Sequence, residues 1–185
     1  MLASLLHFTG MIPIDFTHID YLRSGNLRQQ EAYTALSTIG IMDLLGSYMP
    51  LLAGTIPLGI DVPGSDSDIL CYRTDGDGFA TTLRQHFGHY KGFAIDHVQT
   101  MQGLATTACF IAHGFTIEVF GQAVPSQEQL GYRHMLVEHR LLEEHGPVFR
   151  QQIINLKISG LKTEPAFAQV LGLSGDPYQA LLELE

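Results

Sequence analysis

Three strand-like runs, 93–100, 105–112 and 115–120, follow one another with almost nothing between them. The links Met101-Gln102-Gly103 and His113-Gly114 are too short to hold a helix. Parallel neighbours need a long crossover, so these three runs must fold back on one another as an antiparallel meander. Any fold for the chain has to be built around that block.

What flanks the meander reads differently. Thr17 to Leu22 forms a short helical turn ended by Ser24-Gly25. Asn26 caps a helix running through Leu36, with Gly40 as its stop. A short helix spans about Ile41 to Leu45, and a strand spans Pro50 to Thr55. A Gly- and Pro-rich loop, IleProLeuGlyIleAspValProGlySer, leads to a strand over Asp66 to Tyr72. A helix from about Phe79 to Phe87 precedes the meander. After it, Pro125-Ser126 opens a long amphipathic helix, with Ser126 as cap and Gln129 in the capping-box position. Leu130, His134, Val137, Leu141 and Leu142 share its inner face, and Gly146-Pro147 ends it. Helices over Val148–Ile158, Pro165–Leu171 and Pro177–Glu183 complete the chain. Strands crowd the middle and helices the ends, which predicts an α+β fold with a helical C-terminal part. The division expected is a core over 1–124 and a helical part over 125–185, packed as one unit.

The 185 residues suffice for a core without staples. Residues 1–14, MLASLLHFTGMIPI, are apolar but lack a basic leader and a cleavage site. They are also broken by Gly10 and Pro13, so the sequence predicts neither a signal peptide nor a membrane span, and a cytoplasmic protein. Cys71 and Cys109 sit in apolar runs and read as reduced core thiols. The net charge of -9, from 19 acidic and 10 basic residues, disfavours nucleic acid as a partner. A small molecule or a protein suits that surface better.

The candidate chemistry lies in LeuLeuAlaGlyThr (51–55) and, ten residues on, AspSerAspIle (66–69). A strand ending at Gly54-Thr55 lets backbone approach a phosphate closely. Asp66 and Asp68 alternate on the next strand and so face one way. Paired carboxylates suit a hard cation such as Mg²⁺ bridged to phosphates. Glu118 is the candidate third carboxylate, because a charge in the apolar run PheThrIleGluValPhe is costly unless used.

This pattern resembles the nucleotidyltransferase superfamily, with a Gly-Ser or Gly-Gly pair, an Asp-x-Asp on the next strand and a third acid on a later one. Gly54-Thr55 departs mildly from it, since Thr keeps the hydroxyl. The text GlyThrIleProLeuGlyIleAspValProGlySerAspSerAspIle is similar to the DUF4269 family of small bacterial proteins. TyrLeuArgSerGlyAsn (21–26), PheGlyGln (120–122), TyrArgHisMet (132–135), ThrGluProAlaPheAla (163–168) and GlyAspProTyr (175–178) extend that resemblance over about Tyr21 to Glu185. Residues 1–14 fall outside it, as an N-terminal extension.

The resemblance implies a small mixed sheet and nucleotidyl transfer from an NTP with Mg²⁺ or Mn²⁺. Asp66, Asp68 and Glu118 would be the catalytic and metal-holding residues. Gly54 and Thr55, with Ser65, would contact the nucleotide; Arg133 would touch a phosphate or serve the helix surface and its packing, and Lys157 would bind the triphosphate or be solvated. A small molecule or protein would supply the acceptor hydroxyl. A non-catalytic module that keeps the fold and binds a nucleotide or a protein is the rival reading, and a phosphate-handling enzyme of another type is a third.

Other residues read more simply. Asp61 caps a loop turn or orients a substrate amine. His134 and Glu138, one helical turn apart, are placed to pair. HisMetLeuValGluHis lacks zinc-protease spacing. Asp75-Gly76-Asp77-Gly78 lacks the remaining ligands of a calcium loop. The nine histidines are scattered and form no common cluster.

Overall fold

A computed structural model describes residues 14–185; the N-terminal extension, Ile14 apart, lies outside the described residues. After a 3-10 turn over Asp20–Ser24, helix α1 spans Leu27–Ile39. The Asn26 side chain accepts from the Gln29 N–H, the Gln29 side chain accepts from the Asn26 N–H, and Gly40 ends the helix. Helix α2 (Ile41–Leu44) leads to strand β1 (Leu51–Ala53), helix α3 (Thr55–Leu58) and strand β2 (Ser67–Tyr72). Helix α4 (Gly76–Phe87) is capped by Asp75, which accepts from the Asp77 N–H. The meander follows as β3 (Lys91–Thr100), β4 (Gly103–Ala112) and β5 (Phe115–Gln122). Helices α5 (Leu130–Ile158), α6 (Thr163–Leu171) and α7 (Pro177–Leu182) close the chain.

The five strands form one mixed sheet in the order β1-β2-β5-β4-β3. β2 and β5 run parallel, and every other pairing is antiparallel. α4 sits in the connection between β2 and the meander. It returns the chain so that β5 enters beside β2 in the same direction.

Strand alternation divides the sheet between two cores. Ile69, Cys71, Ala108, Phe110, Ile117 and Val119 turn to one face, packed with Leu36 of α1 and Phe79, Leu83 and Phe87 of α4. Leu51, Ala53 and Leu70 turn to the other, packed with Tyr132, Met135, Leu142 and Phe149 of α5 and Phe167 of α6. The second core therefore joins strands of the 1–124 part to helices of the 125–185 part.

Two local expectations are corrected. The loop expected from Ile56 begins instead as helix α3. Pro57 is tolerated there because the first helical turn needs no intrahelical N–H, and Ile56 and Leu58 are both buried. Ser126 does not cap α5: its hydroxyl donates to the Met49 carbonyl. Gln129 precedes the helix and donates its amide to the Cys71 and Val124 carbonyls, so these side chains tie the helix start to the sheet. The expected end of the first helical stretch at Gly146-Pro147 is found: Gly146, at φ 75 and ψ -165, breaks α5 there, and helical structure resumes after it.

Gly121 of β5 faces the ring of Phe79, and a Cβ there would stand 2.2 Å from Phe79 Cε1. Gly121→Ala is expected to overpack this contact and lower stability by about 1–3 kcal/mol. Urea unfolding midpoints of the two proteins check this.

Candidate active site

Register carries one row of residues across the whole sheet. Ala53 pairs with Asp68, Asp68 with Glu118, Glu118 with Cys109, and Cys109 with Ala94. Asp68 and Glu118 are therefore direct neighbours on adjacent strands, about 4.8 Å apart at the backbone, and share one face. Only Asp68 of the two aspartates stands within β2; Asp66 precedes the strand, half-buried. Cys109 is corrected likewise: it is half-buried beside Glu118, while Cys71 alone is a core thiol.

A cavity of about 330 Å³ opens over the Ala53, Asp68 and Glu118 part of this row. Its floor is Asp68, Leu70, Glu118 and Phe120, and its rim is Gly54 and Thr55. The opposite wall comes from His134, Met135 and Glu138 of α5 and from Thr163 and Glu164 of α6. Asp66 is not part of that lining. Gly54 has φ 82 and ψ -154, and a Cβ on it would fall 2.2 Å from Asp68 Oδ2. Glycine is needed here twice over, for the positive φ and for the close approach of the carboxylate.

Burial, with neighbouring charge added at Asp68 and Glu118, raises the three carboxyls. Burial first, then the charges of Glu118 and Asp66, push the Asp68 carboxyl up to about 7, while Lys157 pulls it down. Glu118 is raised by burial and by Asp66, and Asp66 by burial. The Cys109 thiol is also raised, by burial and then by Asp66 and Glu118. These side chains thus feel one another's charge. Even so, no group of three His, Cys, Asp or Glu side chains among the described residues is gathered closely enough to hold a metal ion. The donor set nevertheless fits Mg²⁺ or Mn²⁺ in kind. The oxygens are hard, two carboxylates stand side by side, and the missing Cβ of Gly54 lets the Asp68 carboxylate approach the backbone closely.

The other expected contacts divide. Thr55 lines the cavity rim, and its hydroxyl donates to Ser65 Oγ over 3.5 Å. Ser65 Oγ accepts from the Val62 N–H, which shapes the loop between α3 and β2. Arg133 is outside the lining; it faces solvent and pairs with Glu185. Lys157 is 8% exposed and lies behind the wall, with Nζ donating to Thr163 Oγ1 at 3.1 Å. Burial lowers its ammonium, and Glu138, Asp61, Glu164 and Asp68 oppose that. Asp61 itself lies 3.9 Å from Arg28. His134 does not pair with Glu138: its Nε2 donates to the Tyr178 carbonyl at 2.8 Å. Glu138 and Glu164 are the cavity carboxylates that sequence reasoning missed. Glu138 sits on the same face as the buried His134, Val137, Leu141 and Leu142, so a charge on the inner face of an amphipathic helix was the available signal.

A family model described as "Domain of unknown function (DUF4269)" matches residues 34–184. The chain belongs to the DUF4269 family. No curated protein matches it. Among solved structures, the polymerase core of TRAMP, an RNA surveillance complex, is similar with a TM-score of 0.53 at 16% identity, over 89% of this chain and 58% of that one. The Cid1 poly(U) polymerase with MgGTP bound is similar at 0.52 and 12% identity, over 75% and 46%. Cid1 in complex with the UTP analog UMPNPP is similar at 0.50 and 14%, over 77% and 47%. The DUF4269 chain thus spans about half the length of these structures. At such identities the likeness establishes the fold, a nucleotidyltransferase-like α+β arrangement. No helix among the described residues is long and apolar enough to cross a membrane.

Asp68 binds its proton more tightly in the folded chain than at its usual value of 3.8. Its contribution to stability is therefore complete below about pH 4 and is lost as pH rises through about 7, at up to about 1.4 kcal/mol per pH unit between. Asp68→Asn is expected to flatten that decline and to be more stable than the parent at pH 8, measured by urea unfolding in EDTA. Gly54→Ala is expected to cost about 1–3 kcal/mol. A double-mutant cycle with Asp68→Ala should recover part of that loss, because the clash is with the Asp68 carboxylate.

Proposed function

We propose that this protein transfers a nucleotidyl group from a nucleoside triphosphate to a hydroxyl on a small molecule or a protein. The observation that carries this reading is the side-by-side placement of Asp68 and Glu118 on the cavity floor, next to the Gly54-Thr55 rim. Asp66, Asp68 and Glu118 are the residues that would hold Mg²⁺ or Mn²⁺. Bound there, such an ion supplies charge neutralisation at the phosphate oxygens.

The chain's own residues do the rest. The bare backbone of Gly54 admits the terminal phosphates, and the long hydrogen bond of Thr55 to Ser65 leaves its hydroxyl ready to turn to them. Lys157 acts from behind Thr163, where its charge offsets the surrounding carboxylates. Leu70, Phe120 and Met135 keep the cavity apolar between its acidic groups. In the transfer, the acceptor oxygen bonds to the α-phosphorus as the bond from that phosphorus to the pyrophosphate oxygen breaks. Pyrophosphate leaves with the electron pair, and the hydroxyl proton passes to a carboxylate oxygen of Glu118. Positioning and charge do most of such chemistry.

The RNA named with the structural neighbours is not carried over to this chain. A net charge of -9 with 10 basic residues opposes a polyanionic acceptor. A binding module that retains the fold is the second reading. It is favoured by one observation, that the three carboxylates are not drawn to a single ligating point.

Thermal shift with Mg²⁺ and each NTP in turn decides between inert and nucleotide-binding protein. A rise on the order of 5 °C at saturating nucleotide is expected, dependent on the divalent ion and lost in Asp68→Asn and Glu118→Gln relative to each variant's own baseline. Stabilisation that persists without the metal, or in both variants, would favour the binding module. No shift with any NTP at millimolar concentration would remove the transferase reading.

A further inference from the structure

Asp68 and Glu118 are only half of the cavity's carboxylates. Glu138 and Glu164 face the same space from the helical wall. Glu138 is 3% exposed, and no hydrogen bond or ion pair joins its carboxyl to any described residue. The nearby ammonium of Lys157 is directed to Thr163 instead. Burial, reinforced by Glu164 and opposed by Lys157, holds the Glu138 carboxyl well above the usual range. An enclosed carboxyl that no described residue hydrogen-bonds, and that Lys157 compensates only through space, is costly in its charged form, and that cost is relieved when a positive donor reaches it from the open side.

The chemistry of the wall narrows what that donor is. A phosphate is repelled by two carboxylates. A divalent ion finds no third ligand gathered with Glu138 and Glu164 among the described residues. A protonated amine needs only one or two oxygens and donates up to three hydrogen bonds. A chain with a net charge of -9 also attracts cationic small molecules. The volume of about 330 Å³ is at the small end of ligand sites, the size of one or two sugar units.

We infer that Glu138 and Glu164 form a subsite for a protonated amine, and that the acceptor is an amine-bearing polyhydroxy compound whose hydroxyl is presented to Asp68 and Glu118. The assignment of the hydroxyl rests on the transferase reading above; the amine subsite does not. Glu138 anchors the ammonium deep in the wall, and Glu164, half-buried on the first turn of α6, flanks it. The two sides of the cavity thus have separate tasks, with phosphate chemistry on the sheet and acceptor recognition on the helices.

The full chain tests this by titration calorimetry at about pH 7 in Mg²⁺ buffer, where most of the probe's amines carry protons. The probes are the glucosamine disaccharide chitobiose and its neutral N,N′-diacetyl form. Chitobiose is expected to bind at least tenfold more tightly than the diacetyl form. Glu138→Gln and Glu164→Gln are each expected to weaken chitobiose at least fivefold. Glu164→Gln keeps the test decisive should Glu138→Gln fail to fold. Equal binding of both sugars, no binding of either at 10 mM, or wild-type affinity in both variants would overturn the subsite. The Mg²⁺–NTP thermal shift on the same samples reports the transferase reading separately. Loss of that shift with the amine preference intact removes the transferase and leaves the subsite standing.

Discussion

The parallel pairing of β2 with β5 is the constraint on which the rest of the structure depends. The strands are distant in sequence, and only the return through α4 and the meander brings them together in one direction. Their register sets Ile69 beside Val119 on one face and Asp68 beside Glu118 on the other. A slip of one residue would bury the carboxylates among Phe79, Leu83 and Phe110 and expose the aliphatic side chains. The hydrophobic pattern that secures the fold therefore also fixes the acidic pair.

That pair is maintained against its own repulsion. Asp68 is held beside Glu118 and near Asp66, under the helical wall, with Gly54 against it where any larger residue would clash. Lys157 supplies the nearest compensating charge, and it does so from a buried position tied to Thr163. A cavity of four carboxylates beside one buried lysine is unfavourable for the isolated chain. Strain of this electrostatic kind is characteristic of sites that meet a cation or a cationic ligand.

The second core has a similar double role. It packs α5 and α6 onto β1 and β2, so the helical part is not an appendage but the roof of the cavity. Membership in the DUF4269 family and the likeness to polymerase cores locate the fold. They leave the chemistry to the residues on these two walls, which differ in character. The sheet wall carries Asp68 and Glu118 beside Gly54 and Thr55, and the helical wall carries Glu138 and Glu164.

The sequence by itself determined much of the local structure. Asn26 and Gln29 spell a capping box, the two short links spell a meander, and the alternation in 115–120 sets Glu118 apart from its aliphatic neighbours. These are short-range signals, written in residues a few positions apart. Only the tertiary structure decided the rest. Asp66 fell outside β2 because the strand begins where pairing with β5 begins. Ser126 met the Met49 carbonyl and so left the helix uncapped, while Arg133 turned out to Glu185 and Lys157 inward to Thr163. Glu138 and Glu164 joined the cavity although nothing in their local text pairs them with Asp68. Which side chains share a cavity depends on how distant elements dock, and docking energies are spread over whole faces rather than written at single positions.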